Sequence, residues 1–294
     1  MMNPSLHLLY RPIQANGRVA SHRYIEILPS PELRPYVACY WSSEPRFPPD
    51  LSADAADITV VDRVLPDGCT DIIFEQNLRD HHYQIRYCGM FDHPFLLRYD
   101  TERPVRSFGV RFFPGGSYSF IRASMAEFSN RHQDLDGIWP GIAGQIGERI
   151  MEAATLDAKV QVMERFLLTI AMKNEMAADH LTANLLHRIF AAMGNVKVRE
   201  LAEKEVVSAR QLNRKFIERI GFSPKTFCDI VRFQTLVCDL NVNREADMRM
   251  LALERGFFDQ AHMIHDFKRF YGETPLIAAR EYRRMSDFYN PARK

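Results

Sequence analysis

Residues 201–227 read LAEKEVVSARQLNRKFIERIGFSPKTF, and residues 250–275 read MLALERGFFDQAHMIHDFKRFYGETP. Each stretch contains a short amphipathic segment, a turn, a longer segment that starts at Ser208 or Asp259, a glycine, and then Ser/Thr-Pro. Serine and aspartate side chains cap helix starts, and glycine adopts the left-handed conformation that ends many helices. The same plan therefore occurs twice in the C-terminal part of the chain.

This duplication predicts two helix-turn-helix units, with second helices at about 208–220 and 259–271. A helix from Pro224 to about Leu240 is predicted to join them. The second helix of such a unit enters the major groove of DNA with its N-terminal turns. The sequence therefore predicts a DNA-binding protein.

The polar side chains on the outer face of the second helices are the candidates for DNA contacts. Arginine pairs with guanine edges, and asparagine and glutamine pair with adenine edges. The candidates for base contacts by residue type are Arg210, Asn213 and Arg214 in the first unit and Gln260 in the second. Lys268 and Arg269, near the end of the last of these helices, are placed for phosphates. The alternative is a solvated basic surface.

Charge is divided unevenly along the chain. Residues 187–294 contain 20 Lys/Arg and 14 Asp/Glu, a net charge of +6, whereas residues 1–186 contain 18 and 23, a net charge of −5. A basic domain attached to an acidic one fits DNA binding at one end and a different task at the other.

From Arg23 to about Phe113 the sequence has short β-branched and aromatic segments separated by turn residues. This pattern predicts an antiparallel β domain, which we expect to be a small cupin-like barrel. The fold class is therefore α+β, with three parts: a β-rich sensor domain (1–136), a helical connector or dimerisation segment (137–178), and the all-α DNA-binding domain (179–294).

Five cysteines form no CxxC pair and predict neither disulfides nor a metal site. No cofactor motif is present: the sequence lacks a Gly-rich phosphate loop and a Gly-x-Ser-x-Gly turn. The longest apolar stretch, Phe166 to Met172, is too short to span a membrane. We expect a cytoplasmic protein without cofactor, metal or membrane contact.

The two quoted stretches resemble the halves of the DNA-binding domain of AraC/XylS-family transcription regulators. The resemblance implies that both second helices read adjacent major grooves, and it adds His262 and His265 to the base contacts. It also implies double-stranded DNA and RNA polymerase as partners, and a possible homodimer. Val206 departs from the family's usual glycine in the first turn, and His265 departs from the usual arginine.

LPDGCTDIIF (65–74) and FGVRFFPGGSYSFI (108–121) resemble an uncharacterised β-rich sensor domain of some AraC-like proteins. This resemblance implies a small-molecule effector without identifying it. The residues predicted to line its pocket are Asp67, Cys69, Asp71 and Arg111, and the alternative is that they only form turns and the fold.

Two other functions stay open at this point. One is a partner-binding regulatory protein whose helical domain does not read DNA. The other is an enzyme fused to a DNA-binding domain, for which the N-terminal half offers no catalytic motif.

Overall fold

The structure is a computed structural model that describes residues 6–14, 22–45, 61–99, 103–174, 179–242 and 247–283. The outer ends of the first and third predicted domains lie outside these residues. A short helix, α1, comes first in the described part of the chain, and strands dominate from residue 22 to residue 112.

A six-stranded antiparallel sheet with the order β1-β2-β7-β4-β5-β8 forms the N-terminal domain, and β3 and β6 form a separate antiparallel pair. The strands are β1 (His22–Ile27), β2 (Val37–Pro45), β3 (Val61–Val64), β4 (Thr70–Asn77), β5 (Tyr83–Cys88), β6 (Phe95–Arg98), β7 (Val105–Phe112) and β8 (His132–Asp134).

The predicted antiparallel β domain is confirmed, but its closure into a cupin-like barrel is wrong. β1 and β8 are the two edges of the sheet and do not pair with each other. β8 has only three residues, too few for a long ladder. The apolar face is covered by helices, so the sheet buries it without curling onto itself.

Alternation along the strands gives the sheet two different faces. Ile72 and Phe74 of β4 point to one face and are buried, together with Phe108 and Val110 of β7. The neighbours on the same strands, such as Asp71, point to the other face. The sheet is therefore apolar on one side and polar on the other.

Helices α3 (Ile142–Glu152) and α4 (Leu156–Lys173) cover the apolar face, together with a short helix α2 (Tyr118–Ile121). Ile146 of α3 and Leu167 of α4 lie in the same hydrophobic core as the strands. The segment predicted to connect the domains thus packs on the sheet. A dimerisation role for it stays a prediction.

The C-terminal domain contains the two predicted helix-turn-helix units. The first consists of α6 (Val198–Lys204) and α7 (Ala209–Ile220), and the second of α9 (Met248–Glu254) and α10 (Gln260–Tyr271). The other helices are α5 (His180–Ala191), α8 (Pro224–Val242) and α11 (Pro275–Arg283).

The predicted helix caps are confirmed. Ser208 accepts a hydrogen bond from the N–H of Gln211, and Asp259 accepts one from the N–H of His262. Gly221 and Gly272, which follow α7 and α10, have φ of 105° and 86°. Left-handed backbone at these two positions favours glycine, because a Cβ atom is strained there.

Helix α8 belongs to the cores of both units. Phe227 near its start packs on Phe216 of α7 with ring centroids 5.5 Å apart, and Phe233 packs on Phe267 of α10 at 5.4 Å. These side chains are fully buried. Helix α8 therefore fixes the position of α7 and α10, the second helices of the two units, which are called the recognition helices below.

The N-terminal segment packs on the C-terminal domain. Leu6 of α1 (Leu6–Leu9) and Tyr10 are buried in the core of the first unit, where Tyr10 stacks on Phe190 at 4.4 Å. Ile13 is buried in the core of the second unit. Residues 6–13 thus connect the two units of the C-terminal domain, although the sequence analysis assigned them to the sensor domain.

Candidate DNA interface and effector cavity

Helix α7 presents a basic surface from its first two turns. Arg210 and Arg214 are exposed and Asn213 is half-buried beside them. Neither arginine forms an ion pair with another described residue, although Arg188 and Arg219 nearby do. The guanidinium groups of Arg210 and Arg214 are therefore available to an anionic or hydrogen-bonding partner.

Helix α10 presents a less basic surface. Gln260 is half-buried, whereas His262 and His265 are exposed. Both imidazoles lie 3.6 Å from Asp266, whose carboxylate also accepts a hydrogen bond from Arg232 at 3.3 Å. The second unit therefore has a carboxylate among its candidate base contacts. This negative charge makes the surface of α10 less attractive to anions.

The two candidate phosphate contacts, Lys268 and Arg269, are exposed near the end of α10. Arg269 Nη2 lies 3.8 Å from Asp92 Oδ2, in the loop before β6 of the N-terminal domain. An ion pair of this length between an exposed arginine and a half-buried aspartate at the surface contributes little to stability. A DNA phosphate at Arg269 would compete with the Asp92 carboxylate.

The first turn has the departure that the sequence indicated. Val206 adopts φ of 55°, and it is 91% exposed. Its counterpart in the second unit, Gly256, has φ of 73°. In both turns the next N–H bonds back to an alanine carbonyl, from Val207 to Ala202 at 3.1 Å and from Phe257 to Ala252 at 2.9 Å. The two turns have the same form, and valine is strained in it.

We expect Val206→Gly to raise the free energy of unfolding by about 1 kcal/mol, because left-handed backbone at a non-glycine residue costs about 1–3 kcal/mol and glycine loses part of that gain as chain entropy. Denaturation by guanidinium chloride measures this free energy of unfolding. The matched control, Val206→Ala, removes the same exposed side chain but keeps a Cβ atom. An equal gain in both variants would show that backbone strain is not the cause.

A cavity of about 500 Å³ lies on the polar face of the sheet, between it and the β3–β6 pair. Asp67, Cys69 and Asp71 line this cavity, as do Trp41 and Phe95. Its volume is in the range of small-molecule sites. Among the described residues, no group of three or more His, Cys, Asp or Glu side chains is arranged to hold a metal ion.

Arg111 does not line the cavity, but its side chain pairs with Asp71, which does. The Arg111 Nε donates to Asp71 Oδ1 at 3.3 Å, and the same oxygen accepts a hydrogen bond from Trp41 Nε1 at 2.8 Å. Burial acts to lower the pKa of Arg111, but the Asp71 carboxylate and other nearby groups outweigh burial and hold that pKa above its usual range. Three of the four predicted pocket residues thus line the cavity, and the fourth, Arg111, is paired with one of them.

Burial changes the ionisation of several groups around the cavity. It raises the pKa of Asp67 to about 6 and lowers the pKa of His22 to about 4. It also raises the pKa of the Cys69 and Cys88 thiols. At neutral pH the thiols and His22 are therefore uncharged, whereas Asp67, with a pKa of about 6, is ionised in most molecules.

Gln234 of α8, which the sequence analysis did not single out, connects the cavity loop to the DNA-binding domain. Its side chain is 2% exposed. Nε2 donates to the carbonyls of Pro66 at 2.7 Å and Ile13 at 3.0 Å, and Oε1 accepts from the Ile13 N–H at 2.7 Å. Tyr10 Oη donates to the Asp67 carbonyl at 2.8 Å. The loop that carries Asp67 is thus bonded to α8 and to the N-terminal segment.

The N-terminal domain also contacts the ends of both recognition helices. Ser129 Oγ donates to the Gly221 carbonyl after α7 at 2.9 Å, and Arg63 Nη1 of β3 donates to the Tyr271 carbonyl of α10 at 2.9 Å. These donors satisfy carbonyls that a helix end leaves without an intrahelical partner. Each recognition helix is therefore held at its C-terminal end, while its N-terminal turns stay exposed.

Two sequence families match the chain. Residues 25–134 match one described as a domain of unknown function, and residues 201–285 match one described as a helix-turn-helix domain. No curated protein matches the sequence.

Among solved structures, the chain is similar to crystal structures of ToxT from Vibrio cholerae. One is 12% identical, covers 73% of this chain and 88% of ToxT, and has a TM-score of 0.38. A second, bound to (E)-4-(8-methylnaphthalen-1-yl)but-3-enoic acid, is 10% identical, covers 73% and 90%, and has a TM-score of 0.39. A third, bound to an unsaturated fatty acid, is 12% identical, covers 72% and 86%, and has a TM-score of 0.34. No conclusion about this chain follows from scores this low.

The duplicated helix-turn-helix with exposed arginines, together with the family match over the same residues, defines a DNA-binding transcription regulator. The match of residues 201–285 to a helix-turn-helix domain agrees with the resemblance of this part of the sequence to the AraC type. In the described part of the chain, no helix combines the length and the apolar character that crossing a bilayer requires.

Proposed function

We propose that the protein reads DNA with α7 and α10 in adjacent major grooves on one face of the duplex. Arg210 and Arg214, exposed on the first turns of a capped helix and without an ion pair to any other described residue, support this proposal most directly. With Asn213 they form the main base-reading set. Gln260, His262 and His265 form a weaker second set, and Lys268 and Arg269 contact phosphates.

Selection of binding sites from random DNA tests this reading. We expect two conserved elements about 10 base pairs apart, one turn of the duplex, with stronger sequence preference in the element bound by α7. Enrichment of no sequence would favour the alternative of a partner-binding protein that does not read DNA.

We propose further that a small molecule in the cavity controls DNA binding. Gln234 of α8 is hydrogen-bonded to Pro66, in the loop between β3 and β4 that lines the cavity. A ligand that moves this loop therefore changes the packing of α8, and α8 belongs to the cores of both units. A ligand shifts the equilibrium only through unequal affinity for the two conformations. The same proposal includes RNA polymerase and a second copy of the chain as binding partners. It places the protein in the cytoplasm.

Filling the cavity tests the effector role. Ser107 of β7 lines the cavity, and Ser107→Phe places a ring in the space of the ligand. We expect this variant to keep its DNA affinity within about twofold, because a substitution far from the DNA interface leaves the contacts of α7 and α10 unchanged. We also expect it to lose the change in affinity that a pool of small cellular metabolites causes in the wild type. Fluorescence anisotropy of labelled DNA measures both.

The control for this test is Ser119→Phe. Ser119 of α2 is half-buried and does not line the cavity. Retention of the full metabolite response by Ser107→Phe would show that the effector does not bind in the cavity.

A further inference from the structure

We infer that the effector of the cavity is an organic cation, a protonated amine on an aromatic or aliphatic body, whose charged nitrogen pairs with Asp67. This inference rests on the effector role proposed above. It names the chemistry of the ligand, which neither sequence family states.

The floor of the cavity has more carboxylate than its guanidinium can neutralise. Asp67 and Asp71 share Arg111, whose Nε is bonded to Asp71 Oδ1. Asp67 is 7% exposed, and its Oδ1 accepts the N–H of Cys69 at 2.8 Å. Its Oδ2 has no hydrogen-bond partner among the described residues. A buried carboxylate oxygen without a donor is unfavourable. Oδ2 is closed to the cavity, so a ligand ammonium beside the Asp67 side chain would supply the missing positive charge rather than a hydrogen bond to this oxygen.

The neighbouring titratable groups do not offset this negative charge. Burial lowers the pKa of His22 to about 4 and also lowers the pKa of His132. Both imidazoles are therefore neutral near pH 7, and the Cys69 and Cys88 thiols keep their protons because their pKa is raised.

Three arginines, Arg86, Arg98 and Arg103, line the cavity. Arg86 is paired with Glu75. Arg98 and Arg103 are exposed, where water and salt screen their charge. The electrostatic preference of the floor thus comes from the aspartates.

The walls suit the body of such a ligand. Tyr24 and Trp41 both line the cavity, with ring centroids 6.0 Å apart and ring planes inclined by 26°. Phe91 and Phe95 form a second aromatic pair with centroids 4.7 Å apart. Aromatic faces attract cations and pack on apolar groups, so carboxylate and ring walls favour the same class of ligand.

Three matched sets of probes test the charge preference on the full-length protein. Each set keeps one body and changes the end group: tryptamine, tryptophol and indole-3-acetate; phenethylamine, 2-phenylethanol and phenylacetate; and hexylamine, hexanol and hexanoate. Isothermal titration measures the affinities. We expect at least one amine to bind about tenfold or more tighter than its alcohol and its carboxylate, as a charge-assisted hydrogen bond in a buried site provides.

Asp67→Asn should remove that preference, because asparagine keeps the acceptor for the Cys69 N–H and loses only the charge. Glu152→Gln, at an exposed carboxylate of α3, is the control and should leave it unchanged. A preference for carboxylates or alcohols, an amine preference that survives Asp67→Asn, or binding by none of the nine probes would overturn the inference. The Ser107→Phe experiment decides separately whether the cavity is the effector site at all.

Discussion

The double variant Arg210→Ala/Arg214→Ala should bind its selected DNA about 30-fold more weakly or worse, while its melting temperature stays that of the wild type. A bidentate arginine contact to guanine is worth about 1–3 kcal/mol of discrimination, so two such contacts amount to at least about 2 kcal/mol. The loss of two charges near phosphates adds to this effect and lowers the salt dependence of binding. Fluorescence anisotropy at two salt concentrations measures both quantities.

A stable fold is expected because neither guanidinium has a partner among the described residues. The inner face of α7 keeps its buried side chains, such as Leu212 and Phe216.

Two control variants make this experiment specific. Arg149→Ala/Arg165→Ala removes two exposed arginines from α3 and α4 and produces the same change in net charge. We expect its DNA affinity to stay within about twofold of the wild type, since charges more than a Debye length of about 10 Å away are largely screened. A similar loss in this variant would mean that net charge, rather than α7, determines binding.

The second control tests the unequal roles of the two units. His262→Ala/His265→Ala should weaken binding by less than about tenfold, because each imidazole makes at most a single hydrogen bond to a base and both lie beside the Asp266 carboxylate. If this loss equals that of the arginine variant, α10 is as strong a reader as α7 and the proposed division between the units is wrong.

The helix boundaries were predictable because their signals are local. Ser208, Asp259, Gly221 and Gly272 act within one turn of the chain, and each adopts the capping or left-handed geometry that its residue type favours. The strain at Val206 was predictable for the same reason. The family resemblance marked Val206 as a departure from the usual glycine, and the second copy has Gly256 at the equivalent position.

The open sheet was not predictable from the strand pattern. Alternating residues specify which face of a strand is buried, but they do not specify whether β1 meets β8. The contacts of α3 and α4 with the sheet decide this point, and they depend on residues far apart in sequence. For the same reason the placement of Leu6 and Tyr10 in the core of the first unit had no local signal.

Gln234 had a signal that was missed. Ile230, Gln234 and Val237 are spaced to lie on one face of α8, and the two apolar neighbours are fully buried. A polar residue at such a position needs partners, because a buried amide without hydrogen bonds is unfavourable. The partners come from Ile13 and Pro66, at least 168 residues away along the chain, so the sequence indicated that partners exist but not which ones.

The variant Gln234→Met should lower the free energy of unfolding by about 3 kcal/mol or more, since it leaves three buried polar groups unpaired at about 1–3 kcal/mol each. Methionine has a similar length, so the loss reports hydrogen bonds rather than a cavity. The groups left unpaired are the N–H and carbonyl of Ile13 and the carbonyl of Pro66. Urea denaturation measures the change.

The control for Gln234→Met lies at the next residue of the same helix. Thr235 is half-buried and donates a hydrogen bond only to the Val231 carbonyl of its own helix at 3.0 Å. Thr235→Val should therefore change the free energy of unfolding by less than about 1 kcal/mol. An equal effect of the two variants would mean that Gln234 stabilises α8 alone and does not join the domains.

Hydrogen exchange locates the effect of Gln234→Met. The Ile13 N–H donates to Gln234 Oε1 at 2.7 Å in the wild type, so its exchange should accelerate in the variant by more than global destabilisation explains. The amide of Gly221, in the cap of α7, should follow the global change only. Selective exposure of Ile13 would mean that one side chain couples the N-terminal segment and the cavity loop to α8. An effector in the cavity could then alter the support of both recognition helices without touching either one.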